Sequence, residues 1–126
     1  MRGTWNRRLR LAFAAGFAAA ALFHALAAVR PDIGEPSPVW RHLLFVGLNA
    51  GCAAGFVWPV RAFVAGFAVL FVQQVYSHGT YAVACWRAEG RVDWASVVVL
   101  LTMPVAFGLL LSGRRRGFDS GRKGLR

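Results

Sequence analysis

The stretch 42-HLLFVGLNAGCAAGFVWPVRAFVAGFAVLFVQQVYSHGTYAVACW-86 carries one charged residue, Arg61, in 45 positions. A single helix of that length would run about 68 Å, more than twice the roughly 30 Å hydrocarbon core of a bilayer. The chain must therefore break inside the stretch. Only Trp58-Pro59-Val60-Arg61 offers a place. Pro59 removes a backbone donor and disfavours helix at Trp58, and Arg61 avoids hydrocarbon. The stretch divides into His42–Val60 and Ala62–Trp86, and the longer second part is expected to end or bend near His78-Gly79.

Two further windows lack Asp, Glu, Lys and Arg: Leu11–Val29 and Trp94–Gly113. Each has about the 20 residues that cross a bilayer. A soluble amphipathic helix keeps one polar face. Leu11–Val29 has only His24 as a polar side chain, and Trp94–Gly113 has only Ser96, Thr102 and Ser112. The expected fold is all-α: a polytopic membrane protein, a single four-transmembrane-helix bundle over 1–126. Its spans lie at about 11–29, 42–58, 62–79 and 94–112, followed by a mobile basic cytoplasmic tail over 113–126. Trp5, Trp40, Trp58, Trp86 and Trp94 all fall near span borders, the level indole rings favour. Pro104 predicts a kink in the fourth span. No internal repeat is evident in the spacing.

Composition agrees with this reading. Charged residues make up 16% of the 126 positions, against roughly 25% in soluble domains. The formal net charge is +10, and it is one-sided. Arg2, Arg7, Arg8, Arg10, Arg61, Arg114, Arg115, Arg116, Arg122, Lys123 and Arg126 gather on one side with only Asp119 against them. On the other, Arg30, Arg41, Arg87 and Arg91 balance Asp32, Glu35, Glu89 and Asp93. The basic side is cytoplasmic by the positive-inside rule, so both termini are expected in the cytoplasm of a multi-pass protein. Fourteen Arg against one Lys suggests a bacterial genome rich in G and C, hence a bacterial inner membrane. The basic termini suit anionic lipid rather than nucleic acid. Arg2–Arg10 followed by Ala25-Leu26-Ala27 resembles a secretory signal, but a 19-residue apolar stretch exceeds the usual 7–15 or so and favours an uncleaved span.

Within apolar spans the few polar side chains are the informative ones. His24, His42, Asn49, Gln73, Gln74, Tyr76 and His78 fall in the outer half of the expected topology and are candidates to line an outward-facing ligand pocket. Such a pocket would suit a quinone or a polar lipid head, since amides, imidazoles and a phenol beside apolar walls bind such groups. Two His could instead hold a haem or other cofactor axially, but no His-x-x-x-His, Cys-x-x-Cys-His or Glu-x-x-His supports a metal site. The plainest use is hydrogen bonding between helices. No acidic residue lies inside a span, no Ser-His-Asp arrangement is evident, and no catalytic residue is assigned. Gly47, Gly51 and Gly55 recur every four residues and predict a close-packed face. It serves an internal contact by default, or else a homo-oligomer or another membrane partner. Cys52 and Cys85 lie at different expected depths, which argues against a disulfide between them.

In length and span number the chain resembles small multidrug exporters and small fluoride channels. It lacks the exporters' first-span carboxylate, having only His24 there, and it lacks the channels' Gly-rich, Arg-bearing span. The DoxX-like group of small bacterial proteins is similar in layout alone. The functional expectation is a non-enzymatic accessory or structural subunit of a membrane, with the lipid bilayer as its first partner.

Overall fold

The computed structural model describes residues 2–30, 32–33 and 37–123, with side chains for 4–30, 32–33 and 37–112. It contains four helices: α1 (Arg2–Val29), α2 (Val39–Val57), α3 (Arg61–Glu89) and α4 (Trp94–Lys123). No strand occurs among the described residues. The chain divides into two compact units, Met1–Val60 and Arg61–Arg126. In the first α1 packs on α2, and in the second α3 packs on α4. Each unit is a helical hairpin.

The break at Pro59 falls where the sequence places it. Trp58 leaves helical geometry at φ −120°, ψ 80°, while its N–H still bonds Ala54 O. Helix resumes at Arg61. Other boundaries differ from expectation. α1 begins at Arg2 and α2 at Val39, because flanking Arg and Trp side chains are no bar to helix. α3 does not stop at His78-Gly79. It continues to Glu89, for 29 residues and roughly 44 Å. Thr80 Oγ bonds Tyr76 O at 2.9 Å and Ser77 O at 3.0 Å, so the hydroxyl is satisfied without leaving the helix. The true stop is Gly90, at φ 65°, whose N–H bonds Trp86 O. That left-handed position ends helices because glycine carries no Cβ to clash. α4 likewise runs past the expected span, through Pro104, to Lys123. Helix thus covers 113–123 of the expected mobile tail, and 124–126 lie outside the described residues.

The inward faces reveal what the spacing alone did not. Along α2, positions 42, 45, 46, 49, 52, 53, 55 and 56 are buried or half-buried. Along α4 the corresponding set is 96, 99, 100, 103, 106, 107, 109 and 110, the same positions moved on by 54, with only 97 added between 95 and 111. The same shift relates Arg7 to Arg61, Phe13 to Phe67, Ala14 to Ala68, Phe17 to Phe71, His24 to His78 and Trp40 to Trp94. The two hairpins repeat one pattern, which corrects the expectation of no repeat. Positions such as 42, 49 and 56 recur every seven residues, the spacing of a left-handed coiled-coil seam.

Aromatic rings fill each seam. Phe13 and Phe17 both stack on Phe56, at 5.5 and 5.6 Å between centroids. Their counterparts Phe67 and Phe71 meet Phe107, at 6.4 and 5.2 Å. Phe56 is wholly buried and Phe67 nearly so. Cys52 and Cys85 are free thiols, and Cys85 is buried as well as Cys52. Outside the seams the helices remain apolar: Leu22, Leu26 and Val29 on α1 and Val98, Leu101 and Val105 on α4 are exposed.

Truncating Phe56 or Phe67 to Ala removes the ring on which a seam is built and is expected to cost about 3 kcal/mol each. Leu101→Ala, on the outward face, should change stability little in detergent. Thermal midpoints of the purified variants check both outcomes.

Candidate functional site

Each seam holds one polar pair that joins its two helices. In the first hairpin His24 Nδ1 lies 3.2 Å from His42 Nδ1. In the second His78 Nδ1 lies 2.9 Å from Ser96 Oγ. The partners are 18 residues apart in both cases, so the pairs occupy equivalent positions of the repeat. His42 is 7% exposed and Ser96 is 0% exposed.

Around the first pair, His24 stacks on Phe45 at 4.9 Å and meets Phe23 edge-on at 5.5 Å. The Arg41 guanidinium stands 6.0 Å from the Phe45 ring centroid. Arg30 and Asp32 form an exposed ion pair at 2.8 Å just past the end of α1, and the Arg30 hydrogen bonds hold the Asp32 carboxyl below its ordinary range. Glu35, the other expected acidic partner in that loop, lies outside the described residues. Arg41 reaches Ser37 Oγ at 3.4 Å rather than a carboxylate.

Behind the second pair stands Asp93, the residue before α4. Its Oδ2 accepts the Ser96 backbone N–H at 3.1 Å, an N-terminal cap. Hydrogen bonding from the Ser96 side chain is the main reason its carboxyl lies below the ordinary 3.8, with the Ser96 and Ala95 backbone amides adding to it. Asp93 thus bonds the Ser96 backbone and His78 bonds its hydroxyl, an arrangement that the sequence did not disclose. Its order differs from that of a hydrolytic triad. Serine stands between carboxylate and imidazole, and among the described residues no carboxylate bonds the His78 ring to orient it as a base. The arrangement ties α3 to the start of α4. Two signals pointed to it: Asp immediately before an apolar run with Ser three residues on, and His78 at 18 residues' distance, matching His24 and His42.

The other expected pocket residues resolve into local bonds. Asn49 Nδ2 donates to Phe45 O at 2.8 Å on its own helix. Gln74 Nε2 donates to Gln73 Oε1 at 2.9 Å. Tyr76 is 74% exposed. Within the first hairpin His24 meets His42, and Asn49 turns to its own backbone. Within the second, His78 meets Ser96, and no hydrogen bond joins it to Gln73, Gln74 or Tyr76 among the described residues. An open concavity of about 540 Å³ runs along Ala68, Val69, Val72, Gln73 and Tyr76.

No group of three or more His, Cys, Asp or Glu converges to hold a metal among the described residues. The His24–His42 geometry does not suit an axial haem either. Axial nitrogens stand on opposite sides of an iron, about 4 Å apart at metal–nitrogen bonds near 2.0 Å. These two face each other at 3.2 Å with no room for a macrocycle. The glycine face is split. Gly55 is buried in its seam, whereas an added Cβ at Gly47 or Gly51 would meet nothing within 4 Å. The default internal contact is thus made at Gly55 alone within this hairpin.

The chain matches no protein-family model, and no curated protein or solved structure shows significant similarity to it.

His78→Leu leaves the buried Ser96 hydroxyl without its imidazole partner and is expected to cost about 1–3 kcal/mol. Because the folded Asp93 carboxyl is held below its unfolded value, its contribution is present above about pH 4 and fades as pH falls through the lowered folded value. Asp93→Asn should flatten that acid limb of stability, measured by thermal unfolding between about pH 5 and 2.5.

Proposed function

We propose that the chain is a small multi-pass protein of a bacterial inner membrane that crosses four times with both termini cytoplasmic. In this reading it acts as a non-enzymatic accessory or structural subunit. Two helices, over Thr4–Val29 and Trp94–Ser112, are long and apolar enough to cross a membrane. The observation that carries the reading is the exposed apolar surface of these helices, in particular Leu22, Leu26, Val98, Leu101 and Val105. In water such surface is unfavourable by about 25 cal/mol per Å², whereas lipid tails cover it at no such cost.

α2 and α3 are less apolar because of Arg41, His42 and Asn49 on one and Gln73, Gln74, Ser77 and His78 on the other. Several of these polar groups are bonded inside their own hairpin: His42 to His24, His78 to Ser96, Asn49 to a backbone carbonyl and Gln74 to Gln73. Internal bonding lowers the cost of placing them in hydrocarbon. The one-sided distribution of Arg and Lys supports the orientation, and the basic termini suit anionic lipid. Gly47 and Gly51 offer a face on which a helix of a second copy or another membrane protein approaches closely. A second reading, binding of a quinone or polar lipid head, is favoured by the concavity where Gln73 and Tyr76 interrupt an apolar wall.

Topology reporters test the first reading. Alkaline phosphatase fused after residues 35 or 91 should be active, and after residues 60 or 126 inactive, with the protein resisting alkaline carbonate extraction. An active fusion at 126, or release by carbonate, would overturn it. If the glycine face serves assembly, Gly51→Leu should abolish cross-linked oligomers in membranes and leave the monomer's unfolding midpoint unchanged.

A further inference from the structure

We propose that the His24–His42 pair is a proton-operated latch at the end of the first hairpin, closed with zero or one added proton and opened by the second. The two Nδ1 atoms face each other at 3.2 Å. A hydrogen bond between imidazole nitrogens needs one N–H and one lone pair. Two neutral rings supply both when one carries its hydrogen on Nδ1 and the other on Nε2. The first added proton goes to the free Nε2 of the donor ring. The donor keeps its Nδ1–H, the acceptor keeps its lone pair, and the bond becomes charge-assisted. The second added proton has only the acceptor's Nδ1 lone pair to take. Two N–H groups on two cations then face each other, and the link between α1 and α2 is lost.

The surroundings oppose that second proton. On α2, Arg41 adds a positive charge next to His42 and over the Phe45 ring on which His24 stacks. α1 presents only Phe23 and apolar side chains nearby. In the following loop Asp32 is engaged by Arg30. No other carboxylate is present among the described residues of this hairpin to compensate a double charge. The same scarcity argues for a proton over a divalent metal. Two nitrogens on a tetrahedral ion would also stand about 3.4 Å apart, but no third protein ligand joins them among the described residues.

The repeat contains its own control. At the position of His42 the second hairpin has Ser96, whose oxygen accepts from His78 whether that ring is neutral or charged. Only the first hairpin has a state in which both partners are obligate donors.

The test is thermal unfolding of the full chain in detergent from pH 8 to 5. The first proton strengthens the folded bond, so stability holds or rises at first; the second is one the folded hairpin resists and the unfolded chain accepts, so stability then falls toward pH 5. The wild-type midpoint should drop by roughly 3–6 °C. His42→Ser should flatten the drop, and Ser96→His, which builds a second latch, should deepen it. Should a variant fail to fold, amide exchange on the wild type decides. Corrected for intrinsic rates, exchange over 24–29 should accelerate at pH 5 about tenfold more than over 78–83. An equal drop in wild type and His42→Ser, or equal acceleration of the two segments, would overturn the latch. So would Zn²⁺ at pH 7.5 stabilising the wild type but not His42→Ser, which would make the pair a metal site.

Discussion

A polar side chain in an apolar seam can bond only what the facing helix brings to it. The rest of this structure depends on that constraint. Aliphatic side chains tolerate small slips along a coiled-coil seam, because many registers bury similar area. A buried imidazole does not, since one register satisfies it and its neighbours leave it bare. His24 against His42 and His78 against Ser96 therefore fix how each hairpin closes. The phenylalanine stacks nearer the opposite end of each seam supply contact area without the same discrimination.

The two hairpins show how one pattern supports different chemistry. The first helix of each carries two Phe, then His, at matching positions. The second helices diverge. Phe56 fills the first seam, while Phe107, one turn earlier in the repeat's register, fills the second. His42 answers His24, whereas Ser96, held by Asp93, answers His78. The carboxylate in the second hairpin has a valine, Val39, at the equivalent place in the first. Electrostatic surroundings thus differ where the geometry is shared: a cation, Arg41, stands beside one pair, and an anion, Asp93, behind the other.

The outward faces follow a different rule. Exposed side chains on the outward faces of α1 and α4 include the apolar Leu22, Leu26, Val98 and Leu101. Identities at the 54-residue shift include the seam positions Phe13, Phe17 and His24 and exposed ones such as Arg7 and Trp40.

The helical class, the break at Pro59 and the apolar helices at either end were legible in the residues themselves, because length, hydropathy and proline chemistry are local properties. The seven candidate pocket residues were legible too, as the few polar groups in oily tracts, but their partners were not. Which nitrogen meets which oxygen depends on the rotation of one helix against another, and that is set by side chains 18 positions away in sequence. The stop at Gly90 rather than Gly79 shows the same limit. Both are glycines beside polar residues, yet only Gly90 takes the left-handed conformation. The repeat lay open in the sequence throughout, but sparse matches gained meaning only when the fold showed them lining the same seam.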